Sequence, residues 1–148
     1  MKLTAKGRYA IMAMTDLAAQ GPNKVVSLSE IASRQSISLA FLEQLFGKLR
    51  KAGLVDSHRG QSGGYSLSRP SSSIALDKII DAVDEDIKLH GCTPEIKQNC
   101  TGHKTQCLTH SLWDALEAHI EDFLAKVSVA DVVEQNIAIP PSFEEAAQ

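Results

Sequence analysis

A mainly α chain with a small β-wing (α+β) is the fold class this sequence predicts, and three observations carry it. Two short helical patterns, 27–34 and 38–52, flank a tight turn, a glycine-rich hairpin signal follows at once, and a wide apolar helical stripe lies beyond residue 110. Together they predict a winged helix-turn-helix domain over 1–83, a loop over 84–110, a long helical region over 111–135 and a poorly ordered tail over 136–148.

Residues 4–19 predict the first helix, because Tyr9, Ala10, Ala13, Met14, Leu17 and Ala18 recur at helical spacing. Gln20-Gly21-Pro22-Asn23 stops it. Ser27-Leu28-Ser29-Glu30 is a capping box that opens a short helix to about residue 34. After a turn at Gln35-Ser36-Ile37, Ser38 can cap a helix whose stripe is Leu39, Leu42, Leu45, Phe46 and Leu49, and Gly53 ends it. Residues 54–58 and 65–68 read as two strands around Arg59-Gly60-Gln61-Ser62-Gly63-Gly64, the wing. Ile74, Leu76, Ile79, Ile80 and Val83 mark a further helix, followed by the acidic Asp84-Glu85-Asp86. Residues 87–108 show no period and read as loop. Ser111 and Asp114 predict a capping box for a long helix to about residue 127, and 129–133 extends its apolar pattern.

The 148 residues carry a net charge of −3, but its distribution is uneven. Residues 1–70 hold ten Lys or Arg against four acids, and residues 71–148 hold five against fourteen. A basic half joined to an acidic half points to nucleic acid. No apolar run reaches the roughly 18 residues needed to span a bilayer, and no signal-peptide core follows Met1, so no membrane partner is expected and the location expected is cytoplasmic. In that compartment thiols stay reduced, and three cysteines are better read as ligands than as a disulfide frame.

On double-stranded DNA the helix after the turn would enter the major groove with its N-terminal end toward base edges. Ser38, Ala40, Glu43 and Gln44 are then the candidates for base contact. Glu43 can accept from a cytosine amine or penalise wrong sequences. Arg8, Lys48, Arg50 and Lys51 would bind phosphate, while Arg59 with Gly60 at the wing tip would reach the minor groove. A pseudo-palindromic operator needs a two-fold partner. The final helix, through Trp113, Leu116, Ile120, Phe123, Leu124 and Val127, is the expected homodimer surface.

Cys92, Cys100 and Cys107 with His110 form the pattern C-x7-C-x6-C-x2-H. Thiolates with a neutral imidazole are the ligand set of borderline metals and iron–sulfur clusters. Structural zinc sites usually bring ligands in close pairs such as C-x2-C, absent here, so the spread loop suits the larger footprint of a cluster. His103 and His90 rival His110 for the fourth position, but the spacing to Cys107 and the start of a helix favour His110. An enzyme using Cys107 and His110 as nucleophile and base is disfavoured, since no supporting acid is evident. A thiol switch lacks its C-x-x-C pair, and a winged helix that binds protein instead of DNA is a further alternative.

Met1-Lys2-Leu3-Thr4-Ala5-Lys6-Gly7-Arg8-Tyr9-Ala10, Leu42-Glu43-Gln44-Leu45-Phe46, Leu49-Arg50-Lys51-Ala52-Gly53-Leu54-Val55 and Cys107-Leu108-Thr109-His110-Ser111-Leu112-Trp113 together resemble the IscR-type iron–sulfur cluster regulators. These stand within a larger family of winged-helix regulators that sense iron, nitric oxide or cysteine status. The resemblance covers about residues 1–135. It implies a homodimeric repressor or activator, not an enzyme, holding a [2Fe–2S] cluster on Cys92, Cys100, Cys107 and His110. Cluster supply, delivered by the Fe–S assembly machinery, would alter promoter choice at cluster-assembly genes, with Glu43 the residue of discrimination. The cysteine intervals of seven and six are longer than in IscR and similar to those of relatives with a [4Fe–4S] cluster, which keeps that alternative open.

Overall fold

The structure, a computed structural model of the chain, describes residues 4–89, 91 and 107–138. Helix α1 (Ala5–Ala19) turns Ala10, Ala13, Met14 and Leu17 into the core. Its N-cap, Thr4, makes no side-chain cap. The buried Glu85 carboxylate accepts instead from the backbone N–H groups of Thr4 and Gly7, meeting the helix's positive end. A β-carbon on Gly7 would collide with that carboxylate, which accounts for glycine in the first turn.

Helix α2 (Leu28–Gln35) begins with the capping box read from sequence, Ser27 with Glu30. Ser36 at φ 53° turns the chain, and Ser38 Oγ accepts from Phe41 N–H to start α3 (Leu39–Lys51). Leu42, Leu45, Phe46 and Leu49 are buried, but Leu39 departs from the expected stripe. It sits in the first turn and is 41% exposed. Gly53 at φ 74° ends α3, with Leu54 N–H closing back to Leu49 O.

Strands β1 (Val55–His58) and β2 (Gly64–Leu67) pair antiparallel, Val55 opposite Leu67 and His58 opposite Gly64. Val26 exchanges two hydrogen bonds with Tyr65 on the free edge of β2, tying the wing to the approach to α2. Rings staple the parts together: Phe46 meets Tyr65 edge-on at 5.0 Å, and Tyr9 meets Phe41 at 5.8 Å.

A 3-10 turn (Ser71–Ser73) leads to α4 (Leu76–Ala82), and α5 (His110–Lys126) and α6 (Val129–Val133) follow. Two expectations are corrected here. No capping box forms at Ser111, because the N-cap of α5 is Thr109, two residues earlier, and Asp114 engages His110 instead. The apolar run 129–133 does not extend α5; Ser128 and Asp131 form a separate capping box and start α6.

The segment between α5 and α6 returns to the first half of the chain. Leu76 N–H bonds Val127 O and Val129 N–H bonds Ile74 O, each at 2.9 Å. Val127 and Val129 thereby join the core built by α1, α2, α3 and α4, and α6 packs against α1. The expected tail falls largely on 139–148, outside the described residues. Among the described residues no helix is long and apolar enough to cross a membrane.

Candidate nucleic-acid interface and ligand segment

Helix α3 divides cleanly. One side is committed to the core, and Ser38, Ala40, Glu43 and Gln44 stand exposed along the other toward its N-terminal end. This is the end that must face base edges if the helix lies in a major groove. Its placement is braced from beneath. Asp16 on α1 receives Arg34 through two nitrogens, the closest at 2.7 Å, and Gln35 Nε2 at 2.7 Å. Burial pushes the Asp16 carboxyl up, but the hydrogen bonds from Arg34 and Gln35 and the charge of Arg34 outweigh it and hold the group below its ordinary value.

The residues predicted to contact phosphate or the minor groove are placed in three ways. Arg8, Lys51, Arg59 and Gly60 are exposed, the last two at the wing tip, where Gly60 takes φ 110° and Gly63 N–H bonds Gly60 O. Arg50 is exposed and leans on the wing through Ser57 Oγ at 3.3 Å. Lys48 is half-buried, and its ammonium lies 2.8 Å from Asp84 Oδ2. The sequence reading missed Asp84. Its only local signal is an acid directly after the helical stripe that ends at Val83, and its partner is 36 positions away.

Of the four predicted cluster ligands, Cys107 and His110 are described; Cys92 and Cys100, and the rivals His90 and His103, lie outside the described residues. His110 N–H bonds Cys107 O at 3.1 Å, so one turn brings both to the start of α5. The thiol of Cys107 is free and partly exposed, and the His110 side chain is 16% exposed with Nε2 3.0 Å from Asp114 Oδ2. A cysteine sulfur one turn from an imidazole whose Nε2 meets a carboxylate is a donor set that fits a metal or iron–sulfur group. Among the described residues no group of three or more ligating side chains gathers.

Helix α5 contrasts with α3, since none of its residues is buried. Leu112, Leu116 and Phe123 are 57%, 37% and 47% exposed, with Trp113, Ile120 and Leu124 half-buried. Val127, predicted for the same surface, is instead 8% exposed and sits in the core, because it lies past the end of α5.

Comparison with known proteins gives one consistent picture. A family described as Rrf2, iron-dependent transcriptional regulator, matches residues 3–135. The HTH-type transcriptional regulator IscR of Vibrio campbellii is 48% identical over 136 residues, 92% of this chain and 79% of that protein. IscR of Cereibacter sphaeroides is 42% identical over 149 aligned positions, 97% of this chain and 96% of that one. Among solved structures, CymR, the global cysteine regulator of B. subtilis, superposes with a TM-score of 0.76 at 28% identity, covering 91% of this chain and 98% of its own. T. potens IscR gives 0.68 at 34%, covering 97% and 96%.

Proposed function

Because the chain belongs to the Rrf2 family of transcriptional regulators, with a DNA-binding winged helix and no enzymatic role, we propose that it is an iron–sulfur-responsive regulator of cluster-assembly genes. The carrying observation is the pairing of an outward polar edge on α3 with Cys107 and His110 gathered at the start of α5. Ser38, Ala40, Glu43 and Gln44 read bases, Arg8, Arg50 and Lys51 hold phosphate, and Arg59 enters the minor groove. Lys48 belongs with the phosphate contacts, and Gly60 lets the wing backbone approach the minor groove.

Cys92, Cys100, Cys107 and His110 would hold the group, a [2Fe–2S] cluster or, given the long cysteine intervals, a [4Fe–4S] cluster. When bound, it supplies a charge at the start of α5 that depends on cluster supply and redox state. Asp114 orients the His110 ring. The exposed face of α5, at Trp113, Leu116, Ile120, Phe123 and Leu124, pairs with a second copy, setting two α3 helices on a pseudo-palindromic operator. The setting is the cytoplasm, with the Fe–S assembly machinery as the cluster's source and Glu43 as the residue that separates promoter classes.

Anaerobic purification followed by iron and sulfide determination and a visible spectrum tests the reading. Iron and sulfide in stoichiometric amount, lost in a Cys107→Ala variant and accompanied by a change in promoter choice, are expected. Colourless protein whose operator binding ignores reconstitution would overturn the cluster and leave the DNA reader.

A further inference from the structure

A carboxylate stands among the cations of the basic face. Lys48 follows Gln44 by four positions, so it lies on the same side of α3, half-buried and nearer the C-terminal end. There its Nζ donates to Asp84 Oδ2 at 2.8 Å. The Lys48 hydrogen bond and charge hold the Asp84 carboxyl below its ordinary value, and Lys6 and Lys51 add to the effect from farther off. One lysine of the basic half thus pairs directly with one acid from the acidic half.

Asp84 is held in place by backbone. Its N–H bonds Asp81 O, and Glu85 N–H bonds Ile80 O, the paired closure of a helix C-terminus. Asp84 takes φ 55°, a left-handed conformation that glycine adopts freely and Asp or Asn tolerates. Glu85 next door is buried against the start of α1. The backbone of Asp84 is therefore fixed beside α3, while its carboxylate stays free to turn about the side-chain bonds.

We propose that Asp84 sets the protein's affinity for DNA by occupying, on Lys48, the place of a DNA phosphate. Binding then exchanges carboxylate for phosphate on that ammonium. The pair is 38% and 76% exposed, in the range where ion pairs are weak enough to exchange. Since phosphate contacts carry no sequence information, the restraint lowers affinity for all duplexes alike and leaves the operator preference unchanged. The inference rests on α3 facing DNA.

The test is fluorescence anisotropy with a short random-sequence duplex across a salt series, using the intact chain and its Asp84→Asn, Asp86→Asn, Lys48→Ala, Lys48→Ala/Asp84→Asn and Arg59→Ala variants. Asn keeps the left-handed turn, and Asp86→Asn removes the same charge two residues away, from a carboxylate that pairs with Lys88 at 3.9 Å. Asp84→Asn is expected to tighten binding about two- to fivefold, the range for an exposed pair. It should also steepen the salt dependence by about one ion. In the Lys48→Ala background, Asp84→Asn should do no more than Asp86→Asn. Equal gains from Asp84→Asn and Asp86→Asn, or a gain in the Lys48→Ala background larger than that of Asp86→Asn, would overturn the proposal. Weakening by Arg59→Ala keeps the DNA reading intact in either case, whereas no duplex binding by the unaltered chain overturns both.

Discussion

Helices α3 and α5 are both amphipathic and both rich in Leu and Phe, yet they spend that apolar surface differently. In α3, Leu42, Phe46 and Leu49 are fully buried within the chain, and of its large apolar side chains only Leu39, in the first turn, stays exposed. In α5, Leu112, Leu116 and Phe123 remain exposed after the chain has folded. A stripe in sequence records that a helix needs an apolar partner, without recording whether the partner is the same molecule. The surroundings decide: α3 is enclosed by α1, α2, α4 and the wing, whereas α5 packs on α4 and leaves one side open.

The contrast is sharpest between two phenylalanines. Phe46→Ala should destabilise the fold by about 3–5 kcal/mol, as measured by urea or thermal unfolding. A smaller loss, about 1.5–3 kcal/mol, is expected from Asp16→Ala, which removes charge-assisted hydrogen bonds that seat α2 beneath α3. The sign with pH follows from the lowered native value. The Asp16 contribution is fully present above the unfolded carboxylate pKa, about 3.9, and is lost as pH falls through the lower folded value. The unfolding free energies of the native chain and Asp16→Asn should therefore converge in acid; a constant gap would mean the carboxylate charge is irrelevant. Arg59→Ala should weaken duplex binding and flatten its salt dependence by about one ion, without moving the unfolding midpoint. The smallest change in fold stability belongs to Phe123→Ala, within about 0.5 kcal/mol for the isolated chain. Sedimentation should nevertheless show its self-association weakened. If association is untouched, α5 is not the dimer surface.

The same distinction marks what could be read in advance. The capping box at Ser27, the stop at Gly53 and the hairpin at 55–67 were legible because each signal is complete within a few neighbouring residues. Glu85 as the cap of α1, Lys48 with Asp84 and Asp16 with Arg34 were not, because their partners are 78, 36 and 18 positions away and acidic side chains usually signal solvent. Val127 was misplaced for a related reason. Helical spacing continues through Lys126 into the extended link that pairs with Leu76, and period alone does not mark where the backbone changes. At the candidate ligand site, residue types were readable from the Cys and His pattern. The structure adds the turn joining Cys107 to His110 and the contact with Asp114, an acid the sequence had assigned to a cap.

The return of Val127 and Val129 to the first half bears on how the protein is made. Synthesis runs from the N-terminus, so the ribosome has released α1, α2, α3 and the wing long before it adds the two valines that fill the gap beside them. The reading head thus waits, with its interior open, until the cysteine-bearing stretch has been threaded out. A nascent chain stalled before residue 127 carries every side chain proposed to read bases but lacks the last pieces of the scaffold that would aim them.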